Sequence, residues 1–165
     1  MDHTRVSRGV VVGAALAATL VLACKRSGDS AGGGDFNAMQ SRGAHVMGVD
    51  QYTSAHVFED LPDGGRVVLE RDDAADTAAS ATIRVHMREI AASFRAGDFT
   101  KPFQVHAQIV PGTALMRDHR AAISYVPIDR PRGGEVRITS RDSAAVGAIH
   151  DFLAFQRAQH HAAGH

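Results

Sequence analysis

Two kinds of apolar spacing alternate along the chain. Between residues 72 and 98, Ile83, Met87, Ile90 and Phe94 recur every three or four positions, the spacing that lines one face of a helix. Val146, Ile149, Phe152 and Leu153 follow a similar spacing within residues 143–161. Ahead of each helical stretch lie two short strand-like runs: "TSAHVFED" and "RVVLER" before the first, "AAISYVPID" and "EVRITS" before the second. A Gly-Gly pair separates the runs each time, Gly64-Gly65 and Gly133-Gly134. Glycine supplies the positive φ that tight hairpins use, so these four are read as turn glycines. Asp142 fits an N-cap before the second helix, and Gly97 fits the glycine that ends the first.

The two halves also resemble each other residue by residue. "PDGGRVVLERDD" (62–73) returns as "PRGGEVRITSRD" (131–142), sharing Pro, Gly-Gly, Val and the final Asp, with Leu69 matching Ile138. Further back, Val57 and Asp60 align with Val126 and Asp129, and His56 aligns with Tyr125. The repeat units span about residues 52–97 and 121–160, each a hairpin followed by a helix. A hairpin with one helix cannot bury its own apolar face, whereas two such units can share a core. The predicted fold class is therefore α+β: a four-stranded antiparallel sheet built from two ββα repeats, with both helices on one face. Between the units, Phe103, Val105, Ala107 and Ile109 alternate and predict a further extended segment, broken at Pro111-Gly112.

The N-terminus carries an export pattern. Arg5 and Arg8 precede an uninterrupted apolar run, residues 10–23, which matches a secretory signal and is too short for a bilayer core that needs roughly 20 residues. The only cysteine, Cys24, follows directly in "LVLAC". This resembles the lipobox of bacterial lipoproteins, and the resemblance implies a signal peptide at residues 1–23, cleavage before Cys24 and acylation there. With Lys25 rather than Asp after the cysteine, it further implies an outer-membrane anchor with the domain facing the periplasm. Residues 24–44 are rich in Gly and Ser and read as a flexible tether, leaving residues 45–165 as a single domain.

Charge and composition remove several functions. Lys+Arg and Asp+Glu both number 18, with no basic block, so nucleic acid is excluded as a partner. A lipidated Cys24 leaves no thiol for a disulfide, a nucleophile or a cysteine-based metal site. No G-x-S-x-G, Walker, H-E-x-x-H or G-x-G-x-x-G pattern is present. What stands out is histidine, 10 residues in all. His86 and His150 occupy similar places early in the two helices, and a twofold relation between the units would bring them together. His56 or His106 would supply a third imidazole, a donor set suited to copper or zinc. Met47 adds a weaker thioether candidate. Each of these histidines also has a structural reading, as a core-edge ring hydrogen-bonded to backbone or carboxylate. The terminal "HHAAGH" reads as a solvated tail.

From "HVMGVDQYTSAHVFEDLPDGG" (45–65) through "IRVHMREIAASFRAGDF" (83–99) to "AIHDFLAFQRAQH" (148–160), the chain resembles a group of small bacterial lipoproteins. Some of that group carry an aspartate carbamoyltransferase label. This sequence lacks the Ser-Thr-Arg-Thr loop such chemistry requires, so the resemblance implies an anchored domain and no mechanism. The expected function is a membrane-anchored binding domain, with copper or zinc held by His86, His150 and His56 or His106. The alternatives are a structural or assembly lipoprotein contacting an envelope protein or a second copy of itself, and a small transferase or hydrolase.

Overall fold

The computed structural model describes Met1, residues 31–48 and residues 51–160 of the 165-residue chain. Residues 2–23, expected to be a signal peptide, Cys24 and the last five residues lie outside the described residues. The order is α1 (Ala31–Met47), β1 (Ser54–Leu61), β2 (Gly64–Arg71), α2 (Thr77–Arg95), α3 (Thr100–His106), α4 (Thr113–Asp118), β3 (Ile123–Arg130), β4 (Gly133–Ser140) and α5 (Ser143–His160). The four strands form one antiparallel sheet in the order β1-β2-β4-β3, which is the α+β arrangement the sequence predicts.

The register locates the symmetry of the repeat. Equivalent hairpin residues are 69 positions apart, and in the β2–β4 pairing Val67 lies opposite Val136. A residue thus pairs with its own counterpart, so the approximate twofold axis passes between these two valines. The helices are exchanged across that axis. α2 follows the first hairpin but lies over β3 and β4, whereas α5 follows the second and lies mainly over β1 and β2. Neither unit covers itself, and the shared core is obligatory. Side-chain bonds repeat the exchange: Arg88 of α2 binds Asp129 of β3 at 2.6 Å, and Arg157 of α5 binds Asp60 of β1 at 2.8 Å. The opposite sheet face carries alternating charge, with Arg130 3.1 Å from Glu135 and 3.3 Å from Glu70.

Helix ends follow local rules. The Asp76 carboxylate accepts from Ala79 N at 3.0 Å, and Asp142 accepts from Ala144 N at 2.9 Å, each satisfying an orphan amide of the first turn. Gly97, at φ +79°, follows the end of α2. The same caps correct the alignment of the helices: α2 begins at Thr77 and α5 at Ser143, so helix equivalents are 66 positions apart. On that spacing His86 corresponds to Phe152, and His150 to Arg84.

Three other expectations are corrected. The four glycines are not the turn. Pro62-Asp63 and Pro131-Arg132 make it, and the Gly-Gly pairs open β2 and β4. Of the four only Gly64 has a positive φ, +139°. Gly65 and Gly134 are bare because a helix side chain rests on each, Leu153 of α5 on the first and Met87 of α2 on the second. Residues 31–47 are not a tether. They form α1, whose Met39, Gln40 and Gly43 are buried at helical spacing, and Arg42 Nε donates to Val105 O at 2.8 Å. The glycines of this stretch hid that stripe. Finally, residues 103–109 are not extended. In α3 the buried positions are Pro102, Val105 and His106, and Phe103 points outward, half exposed.

Candidate functional site

A half-open cavity of about 90 Å³ lies on the helix side of the sheet. Its walls come from β1, β2, α2, α3, α5 and Val46 of α1. They are almost entirely apolar, with Phe58, Leu69, Met87 and Phe152 among them, and four imidazoles interrupt them: His56, His86, His106 and His160.

Each ring is delivered by a different element. His56 faces the helices with Phe58 because alternate positions of β1 share a face. Its ring stacks on His160 (centroids 5.1 Å apart, planes at 23°) and on Phe58 (6.0 Å, 16°). His86, one residue before Met87 in α2, is only 6% exposed. His106 ends α3, 7% exposed, edge-on to Phe155 at 5.0 Å and to His160 at 5.1 Å. The Nε2 of His106 lies 2.9 Å from Oε1 of Gln156 on α5. Two ring nitrogens, His56 Nε2 and His106 Nδ1, are fully buried without a hydrogen-bond partner.

Burial makes these rings neutral. It pushes His56 from its ordinary 6.5 to about 4, and the neighbouring His86 adds to the effect. His86 also falls to about 4, chiefly through burial and then through the Lys101 ammonium, with Glu89 acting the other way. His106 is lowered by burial as well, against the opposing hydrogen bond to Gln156. A proton therefore enters this cavity only at a cost in desolvation. Part of the His56 residue stays at the surface, but its Nε2 does not.

Three of the four histidines expected as metal ligands, His56, His86 and His106, thus share the cavity. His150 is not among them. Its Nε2–H donates to Leu61 O at 3.0 Å and Gly64 O at 2.9 Å, the carbonyls that flank the first turn. Arg84 of α2 does the same for the second turn, reaching Arg130 O and Gly133 O at 2.9 and 3.1 Å. His150 is a turn clamp, and the resemblance of its position to that of His86 came from aligning imidazoles instead of caps. Met47 ends α1, and its side chain lies outside the described residues. Among the described residues, no three His, Cys, Asp or Glu side chains are arranged to hold a metal ion. The His56 and His160 rings stack nearly parallel, so their in-plane lone pairs do not converge, and His106 Nε2 is committed to Gln156.

Two residues of the site were missed in the sequence. His160 was read with the solvated tail, yet it is the last residue of α5 and lies over His56. Gln156 continues the buried stripe of Ile149, Phe152 and Leu153. A polar residue on that stripe was the available signal. His119 holds Asp142 Oδ2 through Nδ1 at 2.6 Å and so steadies the α5 cap. Comparison of the chain with family models, with curated proteins and with solved structures returns no match.

Proposed function

We propose that the protein is an exported, lipid-anchored binding protein whose cavity takes a small, largely apolar molecule. The observation that carries this is the pair of buried, partnerless nitrogens, His56 Nε2 and His106 Nδ1, in a half-open apolar cavity. Buried polar atoms are nearly always paired, and concave apolar sites with a few converging polar groups are where small molecules bind. Export and anchoring rest on Arg5, Arg8, the apolar run and Cys24. Among the described residues no helix is long and apolar enough to cross a membrane, and in this reading the anchor is the lipid on Cys24.

Copper or zinc is the second reading, favoured by the shared location of His56, His86 and His106 and weakened by the absence of a three-ligand arrangement among the described residues. One titration separates the two. The full chain, with its methionine methyls labelled, is titrated with benzene and separately with Cu(I) and Zn(II). Saturable shifts of the Met87 methyl with benzene, abolished by Val105→Phe, are expected. Sub-micromolar metal binding lost in both His56→Ala and His106→Ala would replace the small-molecule reading with the metal one.

A further inference from the structure

The hydrogen bond of His106 fixes what its other nitrogen offers. The Gln156 Oε1 only accepts, so His106 Nε2 must carry the proton of that 2.9 Å bond. With the ring neutral, Nδ1 is then a bare lone pair. It is buried, on a residue 7% exposed, and nothing among the described residues donates to it. Among the described residues that line the cavity the one cation is Lys101, whose Nζ is held by Glu89 Oε2 at 2.7 Å; Arg42, whose charge also reaches His106, lies outside the lining with its Nε on Val105 O. An anionic ligand would be desolvated without compensation, and a ligand with acceptors alone would leave Nδ1 unpaired.

We propose that the bound molecule is neutral and carries a hydrogen-bond donor, an O–H or N–H, on a small apolar body, and that His106 Nδ1 accepts it. This rests on the small-molecule reading above. Gln156 is the positioning residue, since it sets the tautomer. The cavity of about 90 Å³ lies between the ~10–15 Å³ that one water needs on that measure and the ~150 Å³ of an apolar cavity that takes benzene. Its open side lets a single ring enter with one edge at the mouth, so a small phenol or alcohol suits it better than a larger cofactor. His56 Nε2 is available as a second contact from β1.

Phenol and toluene test this, because they differ by an O–H against a methyl. Binding to the full chain is followed at the Met87 methyl and the His106 ring nitrogens, which report this cavity rather than solubilising detergent. In an apolar site without an acceptor toluene is the better ligand, since phenol must leave its O–H unpaired. Expected here is phenol at least tenfold tighter than toluene, an Nε2–H tautomer of His106 in the free protein, and a phenol-induced shift at Nδ1. His106→Phe is expected to reverse the preference. Equal affinities, tighter toluene, or an Nδ1–H tautomer would overturn the inference while leaving the small-molecule reading intact. No saturable shift with either compound would remove that reading itself. If His106→Phe does not fold, the wild-type affinities and the tautomer decide.

Discussion

Under α2 the second hairpin closes into a solid core. Tyr125 is fully buried, with Phe94 edge-on to it at 5.8 Å and Phe99 packed on Phe94 at 4.6 Å. The first hairpin has the same backbone, but over it, between α2 and α5, lies the cavity. Three equivalent positions account for much of the contrast. His56 stands where the other half has Tyr125, Gln156 where it has Ile90, and His160 where it has Phe94. A smaller, more polar group thus replaces a larger aromatic or aliphatic one at each of these positions. The comparison teaches how a duplicated frame can divide its labour: one half supplies packing, and the other gives up packing for a site.

The sharpest way to break that division is truncation of the two equivalent rings. Tyr125→Ala is expected to cost about 3–5 kcal/mol, as for other large aromatic-to-alanine changes in cores, whereas His56→Ala, beside an existing cavity, is expected to cost about 1–2 kcal/mol. Urea midpoints of the two variants check this, and equal costs would mean that both halves are packed alike.

Acid comes next. In the unfolded chain the imidazoles titrate near 6.5, and in the folded protein His56 and His86 resist protonation down to about 4. Above pH 6.5 both states hold neutral rings and the histidines do not affect the balance. As pH falls from 6.5 towards 4 the unfolded state takes up protons that the folded state refuses, so stability declines across that window. The expected loss is roughly 3 kcal/mol for His86, and His56, whose Nε2 is buried, adds to it. Unfolding curves at pH 7, 5.5 and 4.5 should show a steep fall in the wild type and a flatter one in His56→Phe/His86→Leu.

A smaller contrast separates the two strand glycines beneath the helices. A methyl on Gly65 would meet Leu153 and also lie 2.6 Å from the Glu59 carbonyl oxygen, which cannot move aside, whereas on Gly134 it would meet Met87 Cγ at 3.0 Å. Gly65→Ala is therefore expected to lower stability by about 2–3 kcal/mol and Gly134→Ala by about 1, within the range for overpacking. Thermal melts rank them. The smallest effect belongs to a turn clamp. His150→Ala should cost about 1 kcal/mol, the scale of one or two lost hydrogen bonds, and should leave phenol and metal binding unchanged. A changed affinity in His150→Ala would return His150 to the site.

Much of the frame was legible because it is local. The period of Ile83, Met87 and Phe94, the alternation in the hairpins and the Asp caps depend on a few neighbouring residues, and the repeat gave the sheet its strand count. The site was half legible. His56, His86 and His106 were picked out for their chemistry, but His150 was included and His160 set aside, because residue type does not tell which ring reaches which wall.

The sequence by itself determined the two ββα units, the α+β class, their helix caps and the apolar stripes. Only the tertiary structure decided that each helix crosses to the other hairpin, that α1 and α3 wall a cavity, and that Leu153 and Met87 need bare glycines beneath them. The physical reason is range. Caps and periodicities act within one or two turns of chain, whereas α5 reaches β1 across as many as 99 residues, the separation of Arg157 from the Phe58 carbonyl it holds at 3.0 Å. Such contacts follow from how two half-covered units bury their faces together, which no single stretch of the chain encodes.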